Sequence, residues 1–377
     1  MRPGRWAANV VKRAVLVLGA LGVTLGLGEL GVRLAVPQER ALVRGYVRPD
    51  AELGSVHKPR QDYFDRHWEP LYAYHVRTND YGYRMDEDVN PSPAVRKVLA
   101  LGDSFTFGWG VEIEDAFFSL LKRRVEGHHP RVQLLNGGQD GFSTGHVYKK
   151  LRRESARLNL CAALYFMNAG DLADNLNLHP DYRVTSFQRA TDGAIILTDE
   201  KVFSPFKRFL LLHVPGYDWL NQHSHVFVLA KRSVQRRAAA VVPFGPEPAV
   251  AGADPELMTD VTLAHLERIA GLARTSGFKV MVVWVPGSTE LFAPDDGLNA
   301  VLARLKSRVP RIAGLQLFDP TPGLREVIRA RYRPEDLYFR DYQPFGHFNR
   351  GGNALFAATS AEAVERFVGE AMTSCGK

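Results

Sequence analysis

A serine lies just beyond a short apolar run, separated from it by two residues, in the stretch VLALGDSFTFGWGV, residues 98–111. The run Val98–Leu101 has the length and composition of a buried strand, and Gly102 and Gly108 permit a tight turn around Ser104. In an open α/β sheet, reacting groups gather at the carboxyl ends of strands. The pattern therefore places a serine hydroxyl beside the amides that begin the next segment, where it could act as a nucleophile.

The same glycine-rich turn has two other interpretations. A phosphate-binding loop needs G-x-x-x-x-G-K-[ST] or G-x-G-x-x-G, and neither pattern fits these residues. An ordinary turn would suffice for GDS taken alone. Asp103 is expected to bond backbone amides of this loop rather than to react. Residues elsewhere in the chain decide between the interpretations.

Three segments together resemble the motif blocks of the SGNH (GDSL-type) hydrolase superfamily. LGDSFTFGWGV is similar to the first block, whose serine is the nucleophile. LLNGGQDGFSTG offers the second block, with Gly141 at the position of the oxyanion glycine, and FGHFNRGGNALFA supplies the histidine of the last block, His347. The upstream NDYGYR also looks like a segment found in bacterial membrane-anchored members. The resemblance covers residues 77–372, and the order and spacing of the blocks are more specific than any one of them.

The resemblance implies acyl transfer through a serine. His347 would take the proton of Ser104 and later protonate the leaving oxygen. The amides of Ser104 and Gly141 would donate to the oxyanion of the tetrahedral intermediate, where one donor is typically worth about 3–4 kcal/mol of barrier. No metal and no organic cofactor is implied.

The chain departs from the family's third block, an asparagine directly before an aspartate, whose amide also donates to the oxyanion. Here Gly170 precedes Asp171, and the nearest amide is that of Asn168, two residues earlier. Two strand residues span roughly 6.6 Å, about twice the length of a hydrogen bond. Asn168 is therefore a third donor only if the chain coils after Phe166. Otherwise the third donor is missing or comes from elsewhere.

A second departure concerns the acid that orients the histidine. The family usually has an aspartate three residues before it, where this chain has Pro344. Asp341 lies six residues before His347, and a bulge at Pro344 and Gly346 would bring it within reach; this is the interpretation we favour. A backbone carbonyl, leaving a Ser–His dyad, and the more distant Asp336 are the alternatives.

Short apolar runs alternate with longer amphipathic stretches from residue 98 onward. The predicted strands are Val98–Leu101, Val132–Leu135, Ala162–Phe166, Val280–Val285 and Leu315–Phe318. The predicted helices are Phe117–Val125, His146–Leu158, Pro255–Ser276, Leu298–Arg308 and a last one after Asn349. This alternation predicts a parallel sheet covered on both faces: a flavodoxin-like, three-layer α/β/α fold with about five strands, as in SGNH hydrolases. His146 and Trp109 either line a pocket or pack in the core.

The N-terminal residues indicate a membrane anchor. A basic segment at 1–13 precedes an uncharged, almost wholly apolar run at 14–28, long enough for a signal-peptide core. A membrane span needs roughly 20 residues, which is reached by continuing to Val36 past Glu29 and Arg33. Because no small-x-small cleavage site follows, we favour an uncleaved anchor with its basic end in the cytoplasm and Arg33 extending outward to water. A helix packed on the globular part is the alternative.

The predicted domains are a cytoplasmic segment at 1–13, a transmembrane anchor at 14–36, an irregular extension at 37–90 and an SGNH hydrolase-like domain at 91–372. An insert at about 181–254 breaks the alternation of strands and helices. Its apolar stretch FKRFLLLHVPGYDWL is a core helix, a lid or a membrane-facing flap, and a helix packed on the domain is preferred.

Composition excludes several classes of protein. The chain of 377 residues is 45% hydrophobic and 24% charged, a globular balance. The net charge of +7 is scattered, with no basic block interleaved with aromatics, so nucleic acid is not an expected partner. Cys161 and Cys375 form neither a disulfide framework nor a metal-ligand spacing.

Three functions follow from these expectations. The favoured one is ester hydrolysis through an acyl-serine on O-acyl groups, above all O-acetyl groups, of an envelope or extracellular substrate, with the domain outside the cytoplasm. Acyl transfer to a cell-surface polysaccharide would use the same Ser104 and His347 and need a membrane acyl-donor partner. A non-catalytic surface or assembly protein on an SGNH scaffold is the third.

Overall fold

A computed structural model describes residues 3–37, 45–66, 71–176, 183–203, 205–241, 254–293, 296–329, 331–341 and 346–375. Its strands are β1 (Val47–Asp50), β2 (Gly54–His57), β3 (Asp62–Arg66), β4 (Ala73–Arg77), β5 (Arg96–Gly102), β6 (Val132–Asn136), β7 (Leu160–Met167), β8 (Thr185–Arg189), β9 (Ile195–Asp199), β10 (Lys279–Trp284) and β11 (Leu315–Phe318).

The α-helices alternate with these strands over most of the chain. They are α1 (Pro3–Ala35), α2 (Ser104–Phe107), α3 (Phe117–His128), α4 (Thr144–Ser155), α5 (Gly170–Asp174), α6 (Pro205–His213), α7 (Tyr217–His223), α8 (His225–Val241), α9 (Pro255–Ser276), α10 (Ser288–Phe292), α11 (Asp296–Arg308), α12 (Thr321–Ile328), α13 (Pro334–Leu337) and α14 (Arg350–Ser374). Short 3₁₀ turns lie at Ile113–Asp115 and Val309–Arg311.

The chain folds as two compact units. The helical unit consists of Met1–Gly45 and Pro205–Glu247, and the sheet unit of Tyr46–Ser204 and Pro248–Lys377. The apolar stretch of the insert is not one helix but two, α6 and α7, which end and begin around Pro215 and Gly216.

Five parallel strands form the central sheet of the sheet unit, in the order β11-β10-β7-β5-β6. Counted along the chain this is the flavodoxin-like order 2-1-3-4-5, so the predicted fold is confirmed and all five predicted strands are present. β5 pairs with β7 in a register that sets Leu99 opposite Ala163. The strand order reverses between β5 and β7, and in such sheets the carboxyl ends at this point are where ligands bind.

Successive residues of β5 point to opposite faces of the sheet, and both faces are covered. Leu99 and Leu101 pack on one side, where α4 and α9 lie against each other, and Val98 and Ala100 on the other, where α3 contacts α14. All four side chains are fully buried. This double burial explains why the strand is a continuous apolar run rather than an alternating one.

The extension before the first sheet strand is more regular than expected. Instead of an irregular segment it contains two antiparallel pairs, β1 with β2 and β3 with β4. NDYGYR is a tight turn: the side-chain oxygen of Asn79 accepts from the amides of Tyr81 and Tyr83, and Gly82 has a φ of +78°.

The two cysteines are joined, which their spacing did not predict. Cys161 in β7 and Cys375 at the end of α14 form a disulfide, with Cα atoms 5.5 Å apart. The bond ties the C-terminal helix to the start of a central strand, 214 residues away along the chain.

Candidate active site

Ser104 is the first residue of the short helix α2, separated from the end of β5 by one residue, Asp103. Asp103 caps this helix, since its Oδ1 accepts from the amide of Phe105 at 2.9 Å, which confirms its expected role. Gly102 has a φ of +152°, and a Cβ there would overlap the hydroxyl of Thr106 and the carbonyl oxygen of Phe166. Only glycine lets the chain turn this sharply, so it fixes the serine at the rim of the sheet.

The turn before α14 carries His347. Asn349 caps α14 by accepting from the amide of Gly352 at 3.1 Å, and the carbonyl of His347 accepts from the amide of Phe339 at 2.8 Å. These bonds hold the ring so that its Nε2 lies 2.7 Å from Oγ of Ser104. The structure therefore brings the two predicted residues together.

Asp341 lies on the other side of the imidazole. Its Oδ2 is 2.6 Å from Nδ1 of His347, and its Oδ1 accepts from the amide of the same residue at 3.1 Å. The geometry thus favours Asp341 over a backbone carbonyl, while Asp336 instead caps the turn at Arg333. The bulge expected at Pro344 lies outside the described residues.

The charges of this triad are largely shielded from water. The side chains of His347 and Asp341 are 10% and 3% exposed. A carboxylate oxygen can only accept a hydrogen bond, so it holds the proton of a neutral ring on Nδ1 and leaves Nε2 to accept from the serine hydroxyl. That is the proton arrangement required of a general base.

The loop after β6 packs against the serine turn. The amide of Gly137 donates to the carbonyl of Ala100 at 2.8 Å, and that of Gln139 to Gly102 at 3.0 Å. A Cβ on Gly138 would lie 2.5 Å from the amide nitrogen of Phe107, so this contact requires glycine. The sequence motif did not predict this role for Gly138. The one feature that could have indicated it is the adjacent glycine, Gly137.

Gly141 lies later in the same loop, with a φ of +71° and open space where a side chain would be. Within the described part of the chain, the amides of Gly141 and Ser104 have no hydrogen-bond acceptor. Both donors thus remain available to a ligand.

The chain coils after β7 at Asn168. Such a coil is what Asn168 needs in order to act as the third oxyanion donor. Its carbonyl accepts from the amide of Asp171 at 3.3 Å, and its side-chain oxygen accepts from the amide of Gly170 at 2.7 Å. Its side-chain nitrogen donates to Oδ2 of Asp103 at 2.7 Å, which brings it next to the serine turn. An amide nitrogen carries two hydrogens, and this bond uses one.

Two carboxyl groups lie near the serine turn: that of Asp103, which is half-buried, and that of Asp171, which is buried. Burial raises the pKa of Asp103, although the hydrogen bonds from Asn168 and Phe105 oppose this. Burial and the nearby charge of Asp103 raise the pKa of Asp171 well above its usual range. The charge of Asp103 thus disfavours ionisation of Asp171, whereas His347 favours the ionised form of Asp103 and so lowers its pKa. The carboxyl that bonds to the imidazole is that of Asp341.

Sequence reasoning missed Arg84, a fully buried arginine at the end of the NDYGYR turn. Its guanidinium donates to the carbonyls of Phe107 and Gly108, and to that of Val111 at 2.6 Å. It also lies 4.8 Å from the ring centre of Phe107. Arg84 therefore clamps the chain that follows the nucleophile, and the extension supplies part of the site's support.

Aromatic side chains surround the Ser–His pair. The ring of Trp109 stacks on that of His347 with centroids 5.6 Å apart, and its indole N–H donates to the hydroxyl of Tyr72 at 2.6 Å. Phe339 lies 5.4 Å from Tyr72. Tyr72, Trp109 and Phe339 are all half-buried and form an aromatic wall beside the catalytic candidates.

His146 lies apart from this wall, inside α4. It is buried, and its Nδ1 accepts from the amide of Ser143, which closes the first turn of the helix. Burial, with a smaller effect of Lys149 and His265, lowers the pKa of His146 to about 3. His146 is therefore a neutral, structural histidine, which resolves the choice between pocket and core in favour of the core.

Among the described residues, no group of three histidine, cysteine, aspartate or glutamate side chains could hold a metal ion.

No protein-family model and no curated protein sequence matches the chain. Several solved structures resemble it at low identity. An α/β hydrolase from the metagenome of Lake Arreo, Spain, is 14% identical with a TM-score of 0.42, covering 72% of this chain and 95% of that one. A lipolytic G-D-S-L protein from Veillonella parvula is 14% identical with a TM-score of 0.40, covering 72% and 100%. The esterase EstA from Pseudoalteromonas sp. is 9% identical with a TM-score of 0.40, covering 73% and 99%. Lipolytic G-D-S-L proteins, the kind that the sequence motifs resemble, are thus among the structural neighbours.

Proposed function

We propose that this protein is a serine ester hydrolase that works through an acyl-enzyme. The observation that carries the proposal is the continuous chain of hydrogen bonds from Ser104 Oγ to His347 Nε2, at 2.7 Å, and from His347 Nδ1 to Asp341, at 2.6 Å. A serine hydroxyl is a weak nucleophile until a positioned base takes its proton, and this arrangement supplies that base.

The reaction then proceeds in two halves. Ser104 Oγ bonds to the ester carbonyl carbon while His347 takes the hydroxyl proton, and the imidazolium gives that proton to the departing alkoxide. Water, deprotonated by His347, next attacks the acyl-serine and releases the carboxylic acid, and Oγ regains its proton. Asp341 stabilises the imidazolium in both halves.

The negative oxygen of each tetrahedral intermediate needs donors. The assigned donors are the amides of Ser104 and Gly141, which have no acceptor among the described residues, and the second hydrogen of the Asn168 side chain. Asn168 fills the place of the family's third-block asparagine from a position two residues earlier, because the chain coils there.

We assign O-acyl groups on a carbohydrate, above all O-acetyl groups, as the substrate class. The aromatic wall of Tyr72, Trp109 and Phe339 supports this assignment, because flat rings bordering a reacting centre suit the apolar face of a sugar. The hydrogen bond from the indole N–H of Trp109 to the hydroxyl of Tyr72 links two of these rings.

The proposed location is the cell membrane, with the sheet unit outside the cytoplasm. In the described part of the chain, Val11–Ala35 is a helical stretch long and apolar enough to cross a membrane, and basic residues precede it. The disulfide between Cys161 and Cys375 supports an oxidising compartment.

Acetate release by the full-length protein in detergent micelles tests the function. We expect turnover of 4-nitrophenyl acetate and of an acetylated oligosaccharide, slower turnover of longer acyl esters, and none above background in Ser104→Ala. Addition of an unacetylated oligosaccharide leaves acetate release unchanged for a hydrolase, whereas transfer of the acetyl group to it would establish a transferase. A folded protein without either activity would contradict the proposal and leave a non-catalytic scaffold.

A further inference from the structure

Two charged residues near the end of the apolar stretch of α1 are bound by the insert. The carboxylate of Glu29 accepts from the hydroxyl of Ser224 at 2.9 Å, and from the amides of His225 and Val226 at 2.8 and 3.1 Å. Glu29 therefore caps α8, since the first amides of a helix have no partner within it and favour negative charge.

Arg33 completes this junction. Its Nε donates to Glu29 at 2.7 Å, and its Nη2 donates to the carbonyl of His223 at 2.8 Å. The side chain of Arg33 is 46% exposed, as expected of a residue that extends toward water, but its guanidinium also bonds to the last residue of α7. Helices α1 and α8 are also in contact near Gly28, where a Cβ would lie 4.0 Å from the side chain of Val226.

The junction lies at a defined depth along α1. The uncharged run from Ala14 to Gly28 rises by about 22 Å at 1.5 Å per residue, and the hydrocarbon core of a bilayer is about 30 Å thick. Basic side chains at the other end can reach the headgroups over the remaining distance. If α1 spans a membrane, Glu29 and the junction with α7 and α8 lie at the boundary between hydrocarbon and headgroups.

The helices held at this depth expose large apolar side chains. Phe206, Phe209 and Leu212 of α6 are 71%, 55% and 45% exposed, and their spacing of three places them on one side of the helix. Trp219 of α7 is 59% exposed. None of the described side chains of α6 is buried, so this stripe serves no packing purpose within the described chain.

The basic residues of the insert also favour contact with a lipid bilayer. Residues 205–241 contain six lysines and arginines and a single acidic residue, Asp218; Lys207 and Arg208 lie in α6, and the other four basic residues lie in the adjoining helix α8. Basic helices that expose phenylalanine, leucine and tryptophan bind at the interface of bilayers that contain anionic lipids, and tryptophan is enriched at headgroup level.

We propose that α6 and α7 form an interfacial collar, which binds the surface of an anionic phospholipid bilayer on the side that the carboxyl end of α1 reaches. The inference rests on the proposed membrane anchoring by α1. It assigns the insert a lipid-binding role that is separate from the site at Ser104. It also explains why two charged residues occur in the apolar helix: Glu29 and Arg33 bind the insert at the depth where the apolar side chains of the collar contact lipid.

Fluorescence quenching of Trp219 tests the collar. The full-length Trp6→Phe variant, which leaves Trp219 as the one tryptophan of the helical unit, is placed in nanodiscs of phosphatidylglycerol and phosphatidylcholine with bromine near the headgroup. We expect brominated lipid to quench part of the emission, and the further change Trp219→Phe to abolish that quenching. Equal quenching with and without Trp219 overturns the collar.

A second variant removes the apolar stripe without touching a buried side chain. Phe206→Ser, Phe209→Ser and Leu212→Ser together should sharply reduce the quenching of Trp219 while leaving reaction of Ser104 with a fluorophosphonate unchanged. Unchanged quenching in this variant contradicts the collar.

Carbonate washing of membranes separates the collar from the anchor. Retention of the washed protein supports the anchor, and if Trp219 is then unquenched, only the collar is wrong. Release of the protein by carbonate overturns the anchor and the collar together. The proposed esterase function does not depend on this result, because acetate release by the full-length protein tests it separately.

Discussion

Nε2 of His347 lies 2.7 Å from Oγ of Ser104, although 243 residues separate them along the chain. One follows the first strand of the sheet and the other precedes the last helix, so only the completed fold brings them together. The turn at Gly102 positions Ser104, and the turn that caps the last helix positions His347. The buried side chain of Asp341 fixes the orientation of the imidazole ring of His347.

Replacing Asp341 with asparagine should reduce kcat by about 10⁴-fold, because the amide would favour the wrong tautomer of His347. Asp336→Asn is the matched control, since Asp336 caps an exposed turn away from the histidine. Steady-state kinetics on an acetyl ester measures both. Equal rates for Asp341→Asn and the native protein would remove Asp341 from the triad and leave a Ser–His dyad.

Asn168→Ala should lower kcat by about 10²–10³-fold with little change in KM, the loss expected for one oxyanion donor. The comparison variant is Asn175→Ala, whose amide bonds to Thr144 and Thr262. We expect that change to lower stability while the folded fraction keeps its kcat. If Asn168→Ala also loses stability but keeps its kcat, the side-chain amide of Asn168 only bonds to Asp103 and is not an oxyanion donor.

Arg84→Lys should reduce both stability and catalysis, because lysine lacks the planar fork that reaches several carbonyls at once. Leaving one or two buried carbonyls unpaired costs about 1–3 kcal/mol each. We also expect kcat to fall at nearly constant KM, since the chain after Ser104 loses its clamp. Arg60→Lys, in an exposed ion pair with Asp88, should alter neither quantity. A destabilised Arg84→Lys enzyme with native kcat would restrict Arg84 to a structural role.

The stability of the protein should fall in acid partly through His146. Burial lowers its pKa from 6.5 to about 3, so between these values the unfolded chain binds a proton that the folded chain does not. The free energy of unfolding therefore falls as the pH falls below 6.5, by about 1.4 kcal/mol for each pH unit. His265, whose pKa burial also lowers to about 3, acts in the same direction.

His146→Gln isolates this effect. Glutamine can still accept from the amide of Ser143 but does not titrate, so denaturant unfolding should give similar stability at pH 7 and a smaller loss, by about 2 kcal/mol, at pH 5. The exposed His213→Gln should keep the native profile. If the free energy of unfolding of His146→Gln falls between pH 7 and pH 5 as much as that of the native protein, His146 is not a source of the acid destabilisation.

Burial on both faces made the sheet predictable from sequence. Its inner strands β5, β7 and β10 contain short, almost wholly buried apolar runs, a pattern that does not depend on distant partners, whereas the edge strand β11 is only partly buried. Ser104 was found because it lies just after such a run. His347 and Gly141 came from a resemblance of motifs, and the structure brings His347 to Ser104.

Features that depend on distant partners could not be predicted. A buried arginine such as Arg84 contradicts the expectation that charged side chains lie outside, and only the folded chain reveals the carbonyls that satisfy it. Glu29 and Arg33 bond to residues some 190 positions away. The Cys161–Cys375 disulfide likewise joins two lone cysteines whose spacing carries no signal.

Covalent labelling measures whether His347 activates Ser104. The full-length protein is treated with a fluorophosphonate probe, digested and analysed by mass spectrometry. We predict one adduct, on Ser104, whose rate of formation collapses in His347→Ala, with the native fold retained by circular dichroism. A natively folded protein that leaves Ser104 unlabelled, or labels equally fast without His347, would contradict the account.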